Sequence, residues 1–248
     1  MSTRQHINLV IRALVFYSGM LVSGILIGAV ILVFGLWRPT WSYALSQMWC
    51  RWQIEWLRCI CGVDYQVSGW DNVPDEPVVI LAKHQSAWET LFLHSRLPPV
   101  AWVLKRELLW IPLFGWAMTM IGPIAINRKA ASSAISKIIE QGQQALAQGR
   151  SVVVFPEGTR SAPGQRGRYK LGGARLAARS GYPVVPIAHN AGEFWRRQGF
   201  IKTPGTVHVV VGPLIPTQGL SAQQINQQAE EWIEQTMLTL PAARSDEL

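Results

Sequence analysis

Between Ala13 and Trp37 the chain runs for 25 residues without a charged side chain. As an α-helix rising 1.5 Å per residue, that run extends about 37 Å, more than the roughly 30 Å hydrocarbon core of a bilayer. A cleaved export signal has a shorter apolar core and a small-residue cleavage site, so the run reads as an uncleaved membrane anchor. Trp37 and Trp41 flank Arg38 at its end, where interfacial aromatics belong. Residues 1–12, with Arg4 and Arg12, read as a flexible basic start. Residues 43–60 predict a second helix of another kind. Leu45, Trp49, Trp52 and Trp56 share one face, while Gln47, Arg51, Glu55 and Arg58 occupy others. A Trp-rich stripe opposite charge fits a helix lying in the membrane interface; docking on a folded domain is the alternative. Arginines flank the anchor on both sides, so the positive-inside rule does not orient it, and a hairpin within one leaflet competes with a span. Residues 1–62 thus read as an N-terminal membrane anchor and 63–248 as a separate domain.

The second domain alternates short strands with helices. Val78–Leu81, Val100–Leu104, Ile124–Ile126, Val152–Phe155, Val184–Ile187 and Val207–Val211 are the strand candidates. Ser132–Ala147 reads as a helix with Ile135, Ile138, Ile139 and Leu146 inward, and Gly142 on that face allows close packing. Ser221–Leu240 reads as an amphipathic closing helix. The alternation predicts an α/β fold, a mostly parallel sheet covered by helices, with ligands bound where the strands end. Leu108–Asn127 is a second uncharged run, of 20 residues, but Pro112, Gly115, Gly122 and Pro123 predict something broken and packed on the sheet. An apolar groove there is a candidate for an apolar ligand.

Charge narrows the partners. The net charge is +8, and from Gly158 to Gly192 there is no acid, only Arg160, Arg166, Arg168, Lys170, Arg175 and Arg179 among charged groups. A basic face suits phosphate ligands, an anionic membrane surface or an acidic carrier protein. No nucleic-acid motif accompanies it, so no nucleic acid is expected. Cys50, Cys59 and Cys61 form no Cys-x-x-Cys pair and read as small reduced hydrophobes. His6, His94, His189 and His208 lack metal-ligand spacing and read as structural or surface residues. The terminal Ser-Asp-Glu-Leu resembles a lumenal retention signal, but four residues match too easily by chance to set localisation.

The chemistry gathers at Leu81-Ala82-Lys83-His84-Gln85-Ser86-Ala87-Trp88-Glu89-Thr90. Five residues of regular helix turn through about 500°, which would splay His84 and Glu89 by roughly 140°. They meet if His84 lies in the loop before a helix and Glu89 in its first turn. Ser86-x-x-Glu89 is a capping-box signal that starts a helix at Ser86. A carboxylate on one imidazole nitrogen leaves the other free as a base; the alternative is that Glu89 only completes the cap. Downstream, Ser151–Phe155 runs into Pro156-Glu157-Gly158-Thr159-Arg160.

Together these stretches resemble the glycerolipid acyltransferase superfamily, in particular the 1-acylglycerol-3-phosphate acyltransferases. Lys105-Arg106-Glu107 with Pro112, Gly115, Gly122, Ile126 and Arg128 is similar to the second family block, and Val185-Pro186-Ile187 to the fourth. The likeness covers about residues 65–215. It departs at Lys83, where the family usually has Asn, and at Glu89, where it usually has Asp. The resemblance implies transfer of an acyl group from acyl-CoA or acyl-carrier protein to lysophosphatidate, with His84 as base and Glu89 its partner, in direct attack and without metal or cofactor. No Gly-x-Ser-x-Gly stretch supplies a serine nucleophile. Glu157, Gly158, Thr159, Arg160, Lys105 and Arg128 are the phosphate-binding candidates, Arg160 for its planar fork and Glu157 as a brace for that loop or for Arg160. The expected setting is among membrane lipids, at a bacterial inner membrane with the catalytic domain on the cytoplasmic side. Another lysolipid acceptor, or an idle membrane adaptor, stays open.

Overall fold

Uninterrupted apolar runs such as Val79–Ala82 cannot alternate between core and water, so strands built from them need cover on both faces. A computed structural model of the chain, describing residues 2–35 and 37–243, provides that cover. The C-terminal Ser-Asp-Glu-Leu lies outside the described residues. Seven strands form one sheet: β1 Val63–Ser68, β2 Val79–Ala82, β3 Val100–Lys105, β4 Ile124–Ile126, β5 Ser151–Val154, β6 Val184–His189 and β7 Gly205–Val211, in the order β1-β7-β6-β2-β5-β3-β4. Neighbours are parallel except β6 and β7. Ile80 of β2 lies opposite Val153 on one side and Val185 on the other. The strand β1 had no clear signal, because its Asp64 and Gln66 interrupt the apolar pattern on a sheet edge.

The helices are α1 Thr3–Gly35, α2 Pro39–Cys61, α3 Trp88–Arg96, α4 Phe114–Thr119, α5 Ala131–Ala147, α6 Gly172–Ser180, α7 Ala191–Phe194 and α8 Ala222–Thr239. Successive residues of one strand serve opposite layers. Val79, Leu81, Val152 and Val154 pack under α5, α6 and α8 with Ile138, Leu176 and Ile225. Ile80, Ala82 and Val153 pack on the other side with Leu57, Phe92 and Phe194. Gly142 permits the α5–α6 approach as expected, since a Cβ there would stand 2.5 Å from a Leu176 methyl.

The N-terminal segment differs from its expectation at both ends. The first residues are helical from Thr3, because Ser2 and Gln5 cap each other reciprocally. The Trp stripe of α2 does not simply face outward. Trp49 Nε1 donates to Ser23 Oγ at 3.0 Å and Trp56 packs on Gly19, so two of the three indoles close an antiparallel α1–α2 hairpin; Trp52, stacked on Trp56, stays 43 % exposed. The opposite side of α2 docks on the sheet domain through Tyr43, Gln47 and Arg51, which donate to the carbonyls of Pro98, Leu97 and Ser95. Phe16 of α1 meets Trp195 edge-on, and Gly28 lies against Leu113. The helix therefore runs along the domain, with Ile7, Leu14, Leu21, Leu26 and Val33 more than half exposed on its free side. The run at 108–127 is broken as its prolines and glycines require, but Trp110, Phe114 and Trp116 turn outward rather than onto the sheet. Cys50 and Cys61 are buried and reduced, whereas Cys59 is exposed.

His94 ties three elements together. Trp102 Nε1 of β3 donates to its Nδ1 at 3.1 Å, and its Nε2 lies 2.8 Å from Ser46 Oγ of α2. Burial pulls its pKa down to about 4. The unfolded chain therefore binds a proton that the folded one refuses, and stability falls as pH drops from about 6.5 to about 4. Denaturation across that range should lose up to about 3 kcal/mol to this group, and His94→Phe should flatten that part of the profile.

Candidate functional site

Parallel strands β6, β2, β5, β3 and β4 all end on the same edge, and the chemistry-bearing residues emerge there in a row. His189 closes β6, Lys83 and His84 follow β2, Phe155 and Glu157 follow β5, Lys105 closes β3 and Arg128 follows β4. At about 4.8 Å per strand, Lys105 and Arg128 stand on strands roughly 10 and 14 Å from β2.

His84 is fixed from four directions. Its Nδ1 lies 2.8 Å from Glu89 Oε1. Its backbone N–H donates to Glu157 Oε2 at 2.8 Å, and its carbonyl accepts the Ser161 N–H at 2.8 Å. Its ring stacks on Phe155, centroids 4.0 Å apart. The helix α3 starts at Trp88, two residues later than the capping signal predicts, because the Ser86 hydroxyl accepts from Trp88 N–H instead of a third-position amide. The Glu89 carboxylate nevertheless reaches back to the N–H groups of Gln85 and Ser86, at 3.0 and 2.9 Å. Capping and partnering the imidazole are therefore one act by one side chain. Burial alone would raise the Glu89 pKa, but His189, His84 and the Ser86 N–H outweigh it and hold the carboxyl ionised, below its usual range. An ionised Glu89 accepts a hydrogen bond from Nδ1–H, so the lone pair of Nε2, which has no hydrogen-bond partner among the described residues, is left able to accept a proton.

Beneath the loop, His189 Nε2 donates to the Lys83 carbonyl at 2.8 Å and its Nδ1 accepts the Ala191 N–H. Burial pushes its pKa down, against the pull of Glu89, and the ring braces the loop from below. Glu157 is fully engaged: Oε1 meets Lys83 Nζ at 2.8 Å while Oε2 holds the His84 N–H. It braces the loop, as one expectation had it, and does not pair with Arg160.

The phosphate candidates divide. Gly158, at φ +68°, adopts a conformation that favours glycine, and Lys170 Nζ lies 2.7 Å from where a Cβ would be. Arg128, Gly158 and Lys170 line one cleft whose walls are Val103, Ile126, Ile138, Val154 and Phe155. Arg160 lies on the other side of the loop, within electrostatic range of Tyr17 of α1, with Arg197 donating to its carbonyl at 3.3 Å. Thr159 is exposed. Lys105 is half-exposed, 3.9 Å from Glu107. Burial pulls Arg128 below its ordinary value, and Glu107 opposes that. Sequence reading missed Phe155 as the ring's platform, and also His189, Lys170 and the partners of Lys83. The position of His189 at the end of an apolar strand, like that of His84 just beyond one, was the available signal.

Residues 64–190 match the family profile described as Acyltransferase. A 1-acyl-sn-glycerol-3-phosphate acyltransferase of Pseudomonas aeruginosa is 46% identical over 194 residues, covering 77% of this chain and 76% of that one. The human 1-acyl-sn-glycerol-3-phosphate acyltransferase alpha is 34% identical over 190 residues, 74% of this chain and 66% of its own length. The crystal structure of the 1-acyl-sn-glycerophosphate acyltransferase of Thermotoga maritima superposes with a TM-score of 0.81 over 97% of this chain and 99% of that one; at 23% identity it speaks for the fold.

The tautomer is open to direct measurement. Nitrogen NMR of histidine-labelled protein above the imidazole titration should find His84 as the Nδ1–H form. Glu89→Leu should lose that preference, and an unchanged spectrum would separate the carboxylate from the ring.

Proposed function

The chain belongs to the acyltransferase family, and we propose that it moves a fatty acyl group from an acyl thioester to the sn-2 hydroxyl of lysophosphatidate, giving phosphatidate. The observation that carries this reading is the His84–Glu89 pair at the end of β2, whose imidazole stacks on Phe155, a lining residue of a basic, apolar-walled cleft. Nε2 takes the proton of the attacking hydroxyl as its oxygen bonds to the thioester carbon. The C–S bond breaks, and the imidazolium returns the proton to the departing thiolate. Glu89 stabilises the imidazolium while it exists. The intact pair argues against an idle adaptor, and Glu in place of Asp is accommodated because its carboxylate also caps α3.

The acceptor phosphate needs a cation on this edge of the sheet. Arg160 is the first assignment: its guanidinium has no hydrogen-bond partner among the described residues and follows the Gly158 turn. The Arg128–Gly158–Lys170 cleft favours a second placement of the phosphate, between its two cations and the Gly158 turn. The donor is acyl-CoA or acyl-carrier protein. The long free face of α1, together with the outward Trp110, Phe114 and Trp116, supports a membrane-embedded hairpin. Because α1 also touches the domain along its length, this reading sets it in one leaflet beside the domain. The inner membrane of a bacterium, with the domain on the side where acyl thioesters are made, is the corresponding location.

Three measurements test this. His84→Ala should lower turnover by about 10²- to 10⁴-fold in protein that still folds. Membranes offered labelled thioesters and a panel of lysolipids should acylate lysophosphatidate in preference to the others; preference for another lysolipid would reassign the acceptor. Arg160→Ala should raise the KM for the acceptor far more than for the donor, with Arg160→Lys recovering part of it. If Arg128→Ala or Lys170→Ala does so instead, the phosphate lies in the cleft.

A further inference from the structure

Lys83 is an unusual residue to find where it is. It follows an apolar strand, is 1% exposed, and has all three ammonium protons directed at oxygens. Nζ lies 2.8 Å from Glu157 Oε1, 2.8 Å from Glu234 Oε1 of α8 and 3.3 Å from the Gln165 carbonyl. Tyr169 donates to the same Glu234 oxygen at 2.9 Å, and burial pushes that phenol's pKa up, so it stays a donor. A further pair, Arg166 with Glu230, closes the rim at 2.7 Å. The enclosed cluster holds two carboxylates and one ammonium.

The chain of contacts has a direction. Glu234 holds Lys83, Lys83 holds one oxygen of Glu157, and the other oxygen of Glu157 holds the His84 backbone N–H. Without the ammonium, two carboxylates that now share one proton donor would face each other in a site nearly sealed from water. One would have to take up a proton or turn away. For Glu157, 1% exposed at its side chain, either response removes the fixed acceptor beneath His84.

We propose that Lys83 is a positioning residue for the acyl transfer, its ammonium, anchored by Glu234 of α8, keeping the Glu157 carboxylate aimed at the His84 N–H and so holding the imidazole in line with the substrate hydroxyl. This rests on the reading of His84 as the base. It assigns the closing helix α8 a part in the reaction although no residue of α8 hydrogen-bonds to His84 among the described residues.

The test sets Lys83→Met, Glu234→Gln and the double variant beside the wild-type full chain in one membrane assay. Lys83→Met should lower kcat by tenfold or more while the KM of each substrate stays within about threefold. Glu234→Gln should lower kcat in the wild-type background, but less than Lys83→Met does, because the ammonium loses its anchor on α8 yet still compensates Glu157. In the Lys83→Met background the same substitution should restore part of the loss by removing one of the opposed carboxylates. A generic packing defect would not reverse sign with background. Wild-type kcat in Lys83→Met, a loss seen only in KM, or no recovery in the double variant would each overturn the proposal. Should Lys83→Met fail to accumulate, the double variant is compared with Glu234→Gln alone, and equal kcat overturns it. Amide exchange across residues 83–90 reads the same geometry without turnover, so it separates this proposal from the assignment of substrate. Exchange should be faster in Lys83→Met than in wild type, or in the double variant than in Glu234→Gln if that comparison is needed, and unchanged exchange overturns the proposal.

Discussion

The buried pair of Lys83 and Glu157 is the interaction on which the arrangement of this edge of the sheet depends. Taking two ions out of water costs several kcal/mol each, and their attraction offsets this only with good geometry and with every remaining proton and lone pair used. Here they are used: the spare protons of Lys83 go to Glu234 and Gln165, and the second oxygen of Glu157 takes a backbone N–H. The pair joins the loops after β2 and β5 to helix α8 in one knot. Its net effect on stability is small by such accounting, and its larger effect is to select one conformation for the loop that carries His84.

Glu89 adds a second economy of the same kind. One carboxylate satisfies two otherwise orphaned amides at the start of α3 and orients the imidazole. A helix cap normally contributes about 1 kcal/mol. By giving the cap to the carboxylate that partners His84, the fold makes the geometry of the imidazole inseparable from the existence of the helix. Phe155 then limits the ring from its face and His189 supports the loop from below. The restraints on His84 come from α3, which follows β2, from the segment after β5 and from the end of β6, neighbouring strands whose C-terminal ends the parallel sheet brings to one edge.

The α1–α2 hairpin follows a different logic. Its interior is built from small residues against indoles, Gly19 under Trp56 and Ser23 bonded to Trp49, so the two helices approach closely. Lys202 sits over the rings of Tyr17 and Trp195, at 4.3 and 4.8 Å, and donates to the Tyr17 hydroxyl, pinning α1 to the loop before β7. From Ile11 onward, what remains outward on α1 is almost wholly aliphatic. An apolar face of that length in water would be a liability, and in lipid it is the natural surface.

Much of this was legible in the residues themselves. Strand ends such as Val78–Leu81, the 3.6-residue pattern of Ser132–Ala147, the 25-residue uncharged run and the His84–Glu89 spacing each follow from periodicity, capping or charge, which act within a few residues along the chain. The sequence therefore determined the class of fold, the long uncharged helix and the pairing of His84 with Glu89. Tertiary structure alone decided which face of α2 meets α1, that Trp110 and Trp116 turn outward, that Arg128 and Lys170 share a cleft while Arg160 does not, and that Glu157 answers to Lys83. These outcomes depend on partners as far away as Glu234, 151 positions from Lys83 along the chain. No local pattern encodes which two charges so distant in sequence will be excluded from water together.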